Sequence, residues 1–150
     1  MKFDSVDKIL DFAIQKEQDA ADFYTDLANK MEVEYMKKIF TQFAGEEKGH
    51  KAKLIAVKDG KQMLAAEKQV QDLKIGDNLV DIELTRDLGY QEALILAMKA
   101  EKAAFRLYND LATATDDANL KQIFLNLAQE EAKHKLRFEI EYDDHILREN

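Results

Sequence analysis

The chain repeats itself. Moving it forward by 84 positions places Glu17 on Glu101, Tyr24 on Tyr108, and Asp26, Leu27 and Ala28 on Asp110, Leu111 and Ala112. With no gap, Ile39 and Phe40 then fall on Ile123 and Phe124, Glu46 and Glu47 on Glu130 and Glu131, and His50 and Lys51 on His134 and Lys135. Amphipathic segments resemble one another through their apolar spacing, but that spacing does not align glutamate, histidine and tyrosine as well. The chain is two copies of one unit, so each unit must fold into something that packs against its own copy.

Each unit reads as two helices. The sequence has no proline and only five glycines, too little turn punctuation for a strand-rich fold. The periodicity predicts helices over 5–29, 34–58, 90–113 and 116–147. Asp4 or Ser5 caps the first, Asp59 and Gly60 end the second, and Gly89 stands in the position of Ser5. The turns at 30–33 and 114–117 are short, so the helices of each unit are antiparallel neighbours. The connection 61–88 is longer, with a helical segment expected around 62–73 and a break at Gly76, Asp77 and Asn78. A connection of that length can traverse a bundle. The expected fold is all-α, a ferritin-like four-helix bundle with one long crossover between its second and third helices.

Several function classes drop out. A net charge of −8 leaves no continuous surface to neutralise phosphates, so nucleic acid is not an expected partner. The absence of cysteine removes disulfides, thiolate metal sites, iron–sulfur clusters and cysteine nucleophiles. The longest apolar run, 93–98, is too short to span a bilayer, and acidic Asp4 follows directly on the first residues, unlike a secretory signal. A single cytoplasmic domain covering 1–150 is expected.

The apolar seams carry charges. Read at alternating spacings of three and four, the first helix gives Leu10, Ala13, Glu17, Ala20, Tyr24, Leu27 and Met31. The third gives Leu94, Ala97, Glu101, Ala104, Tyr108 and Leu111. The second gives Phe40, Phe43, Glu47, His50 and Leu54, and the fourth Phe124, Leu127, Glu131, His134 and Phe138. Burying one uncompensated carboxylate costs several kcal/mol, and four together repel one another besides. No lysine or arginine occupies these seam positions to pair with them. A cation site requires such an arrangement. Four carboxylates carry about −4, which two divalent metals balance. Glu and His three apart share a helix face and reach one metal together. Glutamates from two helices with Glu-x-x-His from the other two are the ligand pattern of di-iron and di-manganese bundles. The metal ligands expected are Glu17, Glu47, His50, Glu101, Glu131 and His134. Oxygen-rich ligation with one imidazole per metal suits two Fe, with Mn or Zn as alternatives.

Glu17 followed seven residues on by Tyr24, with Glu46-Glu47-Lys48-Gly49-His50 and Glu130-Glu131-Ala132-Lys133-His134, resembles the rubrerythrin family over nearly the whole chain. The resemblance implies reduction of hydrogen peroxide or dioxygen at a di-iron centre, with Glu47 and Glu131 as the bridging or chelating inner carboxylates. It also implies a homodimer, and the 61–88 connection allows helix pairs to exchange between chains. Rubrerythrins proper carry a four-cysteine rubredoxin domain. This chain has no cysteine, so its electrons must come from a small molecule or a separate donor protein such as a rubredoxin. They also carry a further glutamate on the third helix where this chain has Ala104, matching Ala20. That makes the site more symmetric and closer to a generic ferroxidase-like centre. A ferroxidase-like iron storage or delivery protein, and a redox-inert Zn-binding bundle, are the alternative functions. Tyr24 and Tyr108 lie two turns beyond the seam glutamates and are expected to assist by hydrogen-bonding the ligand carboxylates. Glu46 and Glu130, one step off the seam, are expected on a solvated face. His145 has no counterpart in the first unit and is expected to be exposed.

Overall fold

Ser5 starts the first helix as expected: its side chain accepts from the Lys8 amide at 3.3 Å, satisfying one of the donors a helix start leaves open. The computed structural model describes residues 3, 5–60 and 88–147. Helix α1 is Val6–Lys30, α2 is Glu34–Asp59, α3 is Tyr90–Ala114 and α4 is Ala118–Tyr142. A five-residue π-helical turn, Asp143–Leu147, continues α4. The fourth helix was expected from 116. It starts later because Asp117 caps it, accepting from the Leu120 amide at 2.9 Å. Its regular ladder also ends before 147. The amide of Asp143 reaches both the Glu139 and Ile140 carbonyls there, and the wider turn follows.

Residues 31–33 and 115–117 make the two turns, and α1 packs along α2 as α3 packs along α4. The relation between the hairpins follows from side chains that cross between them. The Tyr24 hydroxyl donates to Glu101 and the Tyr108 hydroxyl donates to Glu17, so α1 and α3 run antiparallel. His50 lies beside Glu131 and His134 beside Glu47, so α2 and α4 are antiparallel too. Helices α2 and α3 therefore run in the same direction. Leu54, near the end of α2, packs with Val6 and Leu111 at one end of the bundle. Leu88, just before α3, packs with Met31 and Phe40 at the other. This is the all-α ferritin-like arrangement of four helices. The expected crossover and its helical segment at 62–73, like the Asp4 cap, lie outside the described residues. Among the described residues, no helix is long and apolar enough to cross a membrane.

The core has two apolar halves that are copies of each other. One gathers Ile9, Leu10, Ala13, Leu54, Leu111, Phe124 and Leu127. The other gathers Leu27, Phe40, Phe43, Ala93, Leu94, Ala97 and Phe138. Between them lies the layer of glutamates and histidines. One seam expectation needs correction: Ala20 and Ala104 are only partly buried, whereas Ala21 is completely buried. The seam itself holds, since Tyr24 and Leu27 further along α1 are completely buried; in the turn between Glu17 and Tyr24 it is Ala21 rather than Ala20 that faces the core.

Candidate metal centre

Glutamate has no place in a bundle core unless something holds it there, yet Glu17, Glu47, Glu101 and Glu131 are each at most 2% exposed. Helix spacing aims them inward: each takes a seam position flanked one turn away by core residues such as Ala13, Phe43, Ala97 and Leu127. His134 is buried with them, and His50 nearly so. All six residues expected from sequence meet in one layer.

They form two overlapping sets of donors. Glu17, Glu47, His50 and Glu131 bring ligand atoms within 4.8 Å of one another, and so do Glu47, Glu101, Glu131 and His134. Each set contains one half-repeat's lone glutamate with its Glu-x-x-His pair. Glu47 and Glu131 belong to both. The histidines present Nδ1: His50 Nδ1 is 3.1 Å from Glu131 Oε1 and 3.5 Å from Glu17 Oε2. His134 Nδ1 is 3.0 Å from Glu47 Oε1 and 3.4 Å from Glu101 Oε1. The two imidazole planes lie 10° from parallel, with centroids 5.7 Å apart.

Protein groups alone do not satisfy this layer. Glu17 Oε2, both carboxylate oxygens of Glu47, Glu101 Oε2, Glu131 Oε1 and both histidine Nδ1 atoms are buried without an aligned hydrogen-bond partner. Native proteins pair nearly all such atoms, so a concentration of buried orphans in one layer fits a site able to take a cation. The donor chemistry fits: acceptor-only carboxylates and imidazole nitrogens, two shared and two private carboxylates, and one imidazole per set. The cluster is able to hold metal.

Electrostatics agree. Burial raises the Glu47 carboxyl well above the usual carboxylate range, and the charges of Glu131, Glu17 and Glu101 raise it further. Burial likewise pushes Glu101 up to about 8, against the opposing hydrogen bond from Tyr24. Glu131 is pushed up to about 8 by burial and by the charge of Glu101. Burial pulls the His50 imidazole down, but Glu131 and Glu17 outweigh it and hold it up at about 10. His134 stays below the ordinary imidazole value because burial disfavours its cation. Without metal, this layer must keep protons to exist.

The tyrosines sit where expected and reach further than expected. Each donates to the lone glutamate of the other half-repeat, Tyr24 to Glu101 and Tyr108 to Glu17. Burial, then the charges of Glu101 and Glu17 respectively, raises both phenols, so they remain donors. Each fixes one carboxylate oxygen and leaves the other, Glu101 Oε2 or Glu17 Oε2, buried without a hydrogen-bond partner.

One expectation holds with an added contact, and one is corrected. Glu46 is on the exposed surface, but its carboxylate lies 3.3 Å from His134 Nε2 and steadies the ring that presents Nδ1 inward. Glu130, its repeat partner, pairs with Lys133 instead, as expected of a solvated face. His145 is only partly exposed, lies 3.2 Å from Glu141, and stays outside the cluster. The adjacent Glu-Glu pair hinted at Glu46, but its mirror residue Glu130 carried the same hint. Only packing separates them. Glu46→Ala is expected to weaken one of two metals about tenfold and leave the other alone. Glu130→Ala should change neither. A stepwise metal titration reads both, and equal weakening of the two steps would rule out this role for Glu46.

The family profile described as rubrerythrin matches residues 8–142. Among solved structures, a hypothetical protein from Pyrococcus furiosus is similar, at 26% identity and a TM-score of 0.64, over 91% of this chain and 87% of that one. No curated protein matches the sequence significantly.

Proposed function

This chain belongs to the rubrerythrin family, and we propose that it binds two iron ions in the carboxylate layer and reduces hydrogen peroxide or dioxygen with them. The observation that carries this reading is the membership of Glu47 and Glu131 in both donor sets. Carboxylates shared in this way hold two metals close enough to act as one unit. Such a pair supplies two electrons together to an O–O bond, avoiding one-electron radicals.

The remaining work falls to the protein. Four carboxylates match the charge of two divalent ions, and the two histidines give each ion one neutral donor. Tyr24 and Tyr108 hold Glu101 and Glu17 in orientation through hydrogen bonds and stay protonated, so they do not add negative charge. The Phe43 ring stands edge-on to His134 at 4.8 Å and, with Phe138 behind it, keeps water from that side. The sequence has no cysteine to hold a rubredoxin-type iron. A separate electron donor, either a small molecule or a rubredoxin-like protein, would complete the cycle, and a homodimer is the assembly proposed.

One observation favours a second reading. The two donor sets are near copies, with Ala20 and Ala104 where a further ligand would break the symmetry. A symmetric pair suits ferroxidase-like iron storage or delivery. Metal analysis of protein purified without added metal, then mixing of the reduced form with peroxide or oxygen, tests both. Two iron per chain and rapid oxidation by peroxide support the enzyme. A large shell retaining thousands of iron atoms would establish storage instead, and zinc as the native metal would exclude both.

A further inference from the structure

The repeat that is so faithful at the core breaks down on the surface beside it. Between α3 and α4 a groove of about 400 Å³ is lined by Lys102, Phe105, Arg106, Ala132, Lys135 and Glu139. Lys102, Ala132 and Lys135 are the chain neighbours of Glu101, Glu131 and His134, so the groove lies directly outside half of the carboxylate layer. At the equivalent positions between α1 and α2 the chain closes on itself. Lys51 Nζ donates to Gln18 Oε1 at 2.6 Å, and Gln18 Nε2 donates to Asp22 Oδ1 at 2.8 Å.

In the second copy Gln18 becomes Lys102 and Asp22 becomes Arg106, so both acceptors are replaced by cations. Lys135, the counterpart of Lys51, is left with Glu139 of its own helix, at 2.9 Å. Among the described residues, Lys102 and Arg106 have no hydrogen bond or ion pair. They stand four apart on one helix face, so both point at the same spot. Three cations and one acid therefore converge on a groove in a chain whose net charge is −8. Like charges so placed repel one another unless an anion joins them. Phe105 and Ala132 give the groove an apolar surface as well, and its volume falls in the range of small-ligand sites.

We infer that the α3–α4 groove binds an organic anion, a phosphate or carboxylate group on a flat apolar body. Arg106 offers a planar fork for the oxyanion, Lys102 and Lys135 add point charges, and Phe105 supplies a face for the apolar part. The inference goes beyond the redox reading and holds whichever metal the centre carries.

Binding to the full metal-loaded chain is measured by calorimetry with three probes: flavin mononucleotide, riboflavin and inorganic phosphate. The nucleotide combines the ring and the charge that the other two carry singly. It is expected to bind saturably, with riboflavin and phosphate each at least about tenfold weaker. The charge-removing pair Lys102→Gln with Arg106→Gln should bring the nucleotide down to the riboflavin level at unchanged helix content. Gln18→Ala with Asp22→Ala, on the opposite hairpin, should have no effect. Equal binding of nucleotide and riboflavin, nucleotide binding that survives removal of the two charges, or no saturable binding of the nucleotide would each overturn the assignment.

Discussion

A chain carrying Glu47→Ala and Glu131→Ala together is expected to lose both metals at once while keeping its helices. The reason is membership. Each of these carboxylates serves both donor sets, so removing the two leaves Glu17 with His50 on one side and Glu101 with His134 on the other. One carboxylate and one imidazole do not hold a divalent ion against water. The helices survive because their stability comes from the apolar halves above and below the layer, which the substitutions leave intact. Glu17→Ala alone should give a different result, since Glu17 belongs to one set only: one metal weakened, one kept. Metal content per chain and far-ultraviolet circular dichroism read these outcomes. Two metals retained in the double variant would refute the ligand assignment.

The metal-free protein should become less stable as pH rises from 5 to 9. Glu47, Glu101 and Glu131 all have folded-state values above their unfolded ones, the last two at about 8. Between the ordinary carboxylate range and pH 8 the unfolded chain has already lost protons that the folded chain retains. Stability therefore falls as pH rises through this window and levels off above it. His50 works in the same direction: its contribution is complete below the ordinary imidazole value and lost as pH rises through about 10. His134 is lowered, so its opposing contribution grows only as pH rises to the ordinary imidazole value and is complete above it. The carboxyls share protons and relieve one another, so the loss is counted once for the layer, about 5 kcal/mol. Divalent metal should cancel or reverse the slope, because it takes the place of the protons and binds more tightly as they leave. Denaturant titrations at pH 5, 7 and 9, with and without metal, measure this. A metal-free stability that is flat or rising over that range is incompatible with a buried four-carboxylate layer.

Most of the bundle and the six residues that meet in its buried layer are legible in the sequence, for a physical reason. Helical periodicity is a local property, and a charged residue inside an apolar seam announces itself against that periodicity. Reading the same seam at strict three–four spacing misplaced Ala20 and Ala104, because which small residue of a turn faces the core depends on the helices packed against it. The end of α4 was placed too late for a similar reason. Where a ladder widens at Asp143 depends on which carbonyls its amide finds, and no side-chain pattern encodes that.

The two-copy plan, the four helices and the six seam residues that an apolar core does not accept uncompensated are all readable in the chain. Those facts follow from spacing and from the cost of burying charge, and neither needs a partner helix to be evaluated. How the copies meet is set by the packing of the two hairpins. The antiparallel pairings of α1 with α3 and α2 with α4 send Tyr24 and Tyr108 across to the other half's glutamate. The same pairings put Glu47 and Glu131 into both donor sets. They also let Glu46 reach His134 while Glu130 turns to Lys133. Nothing in a single helix distinguishes these residues, because the differences arise from register between segments far apart in the chain. The repeated layer of Glu17, Glu47, His50, Glu101, Glu131 and His134 is thus written locally, and the overlap of its two donor sets is a property of the packed bundle.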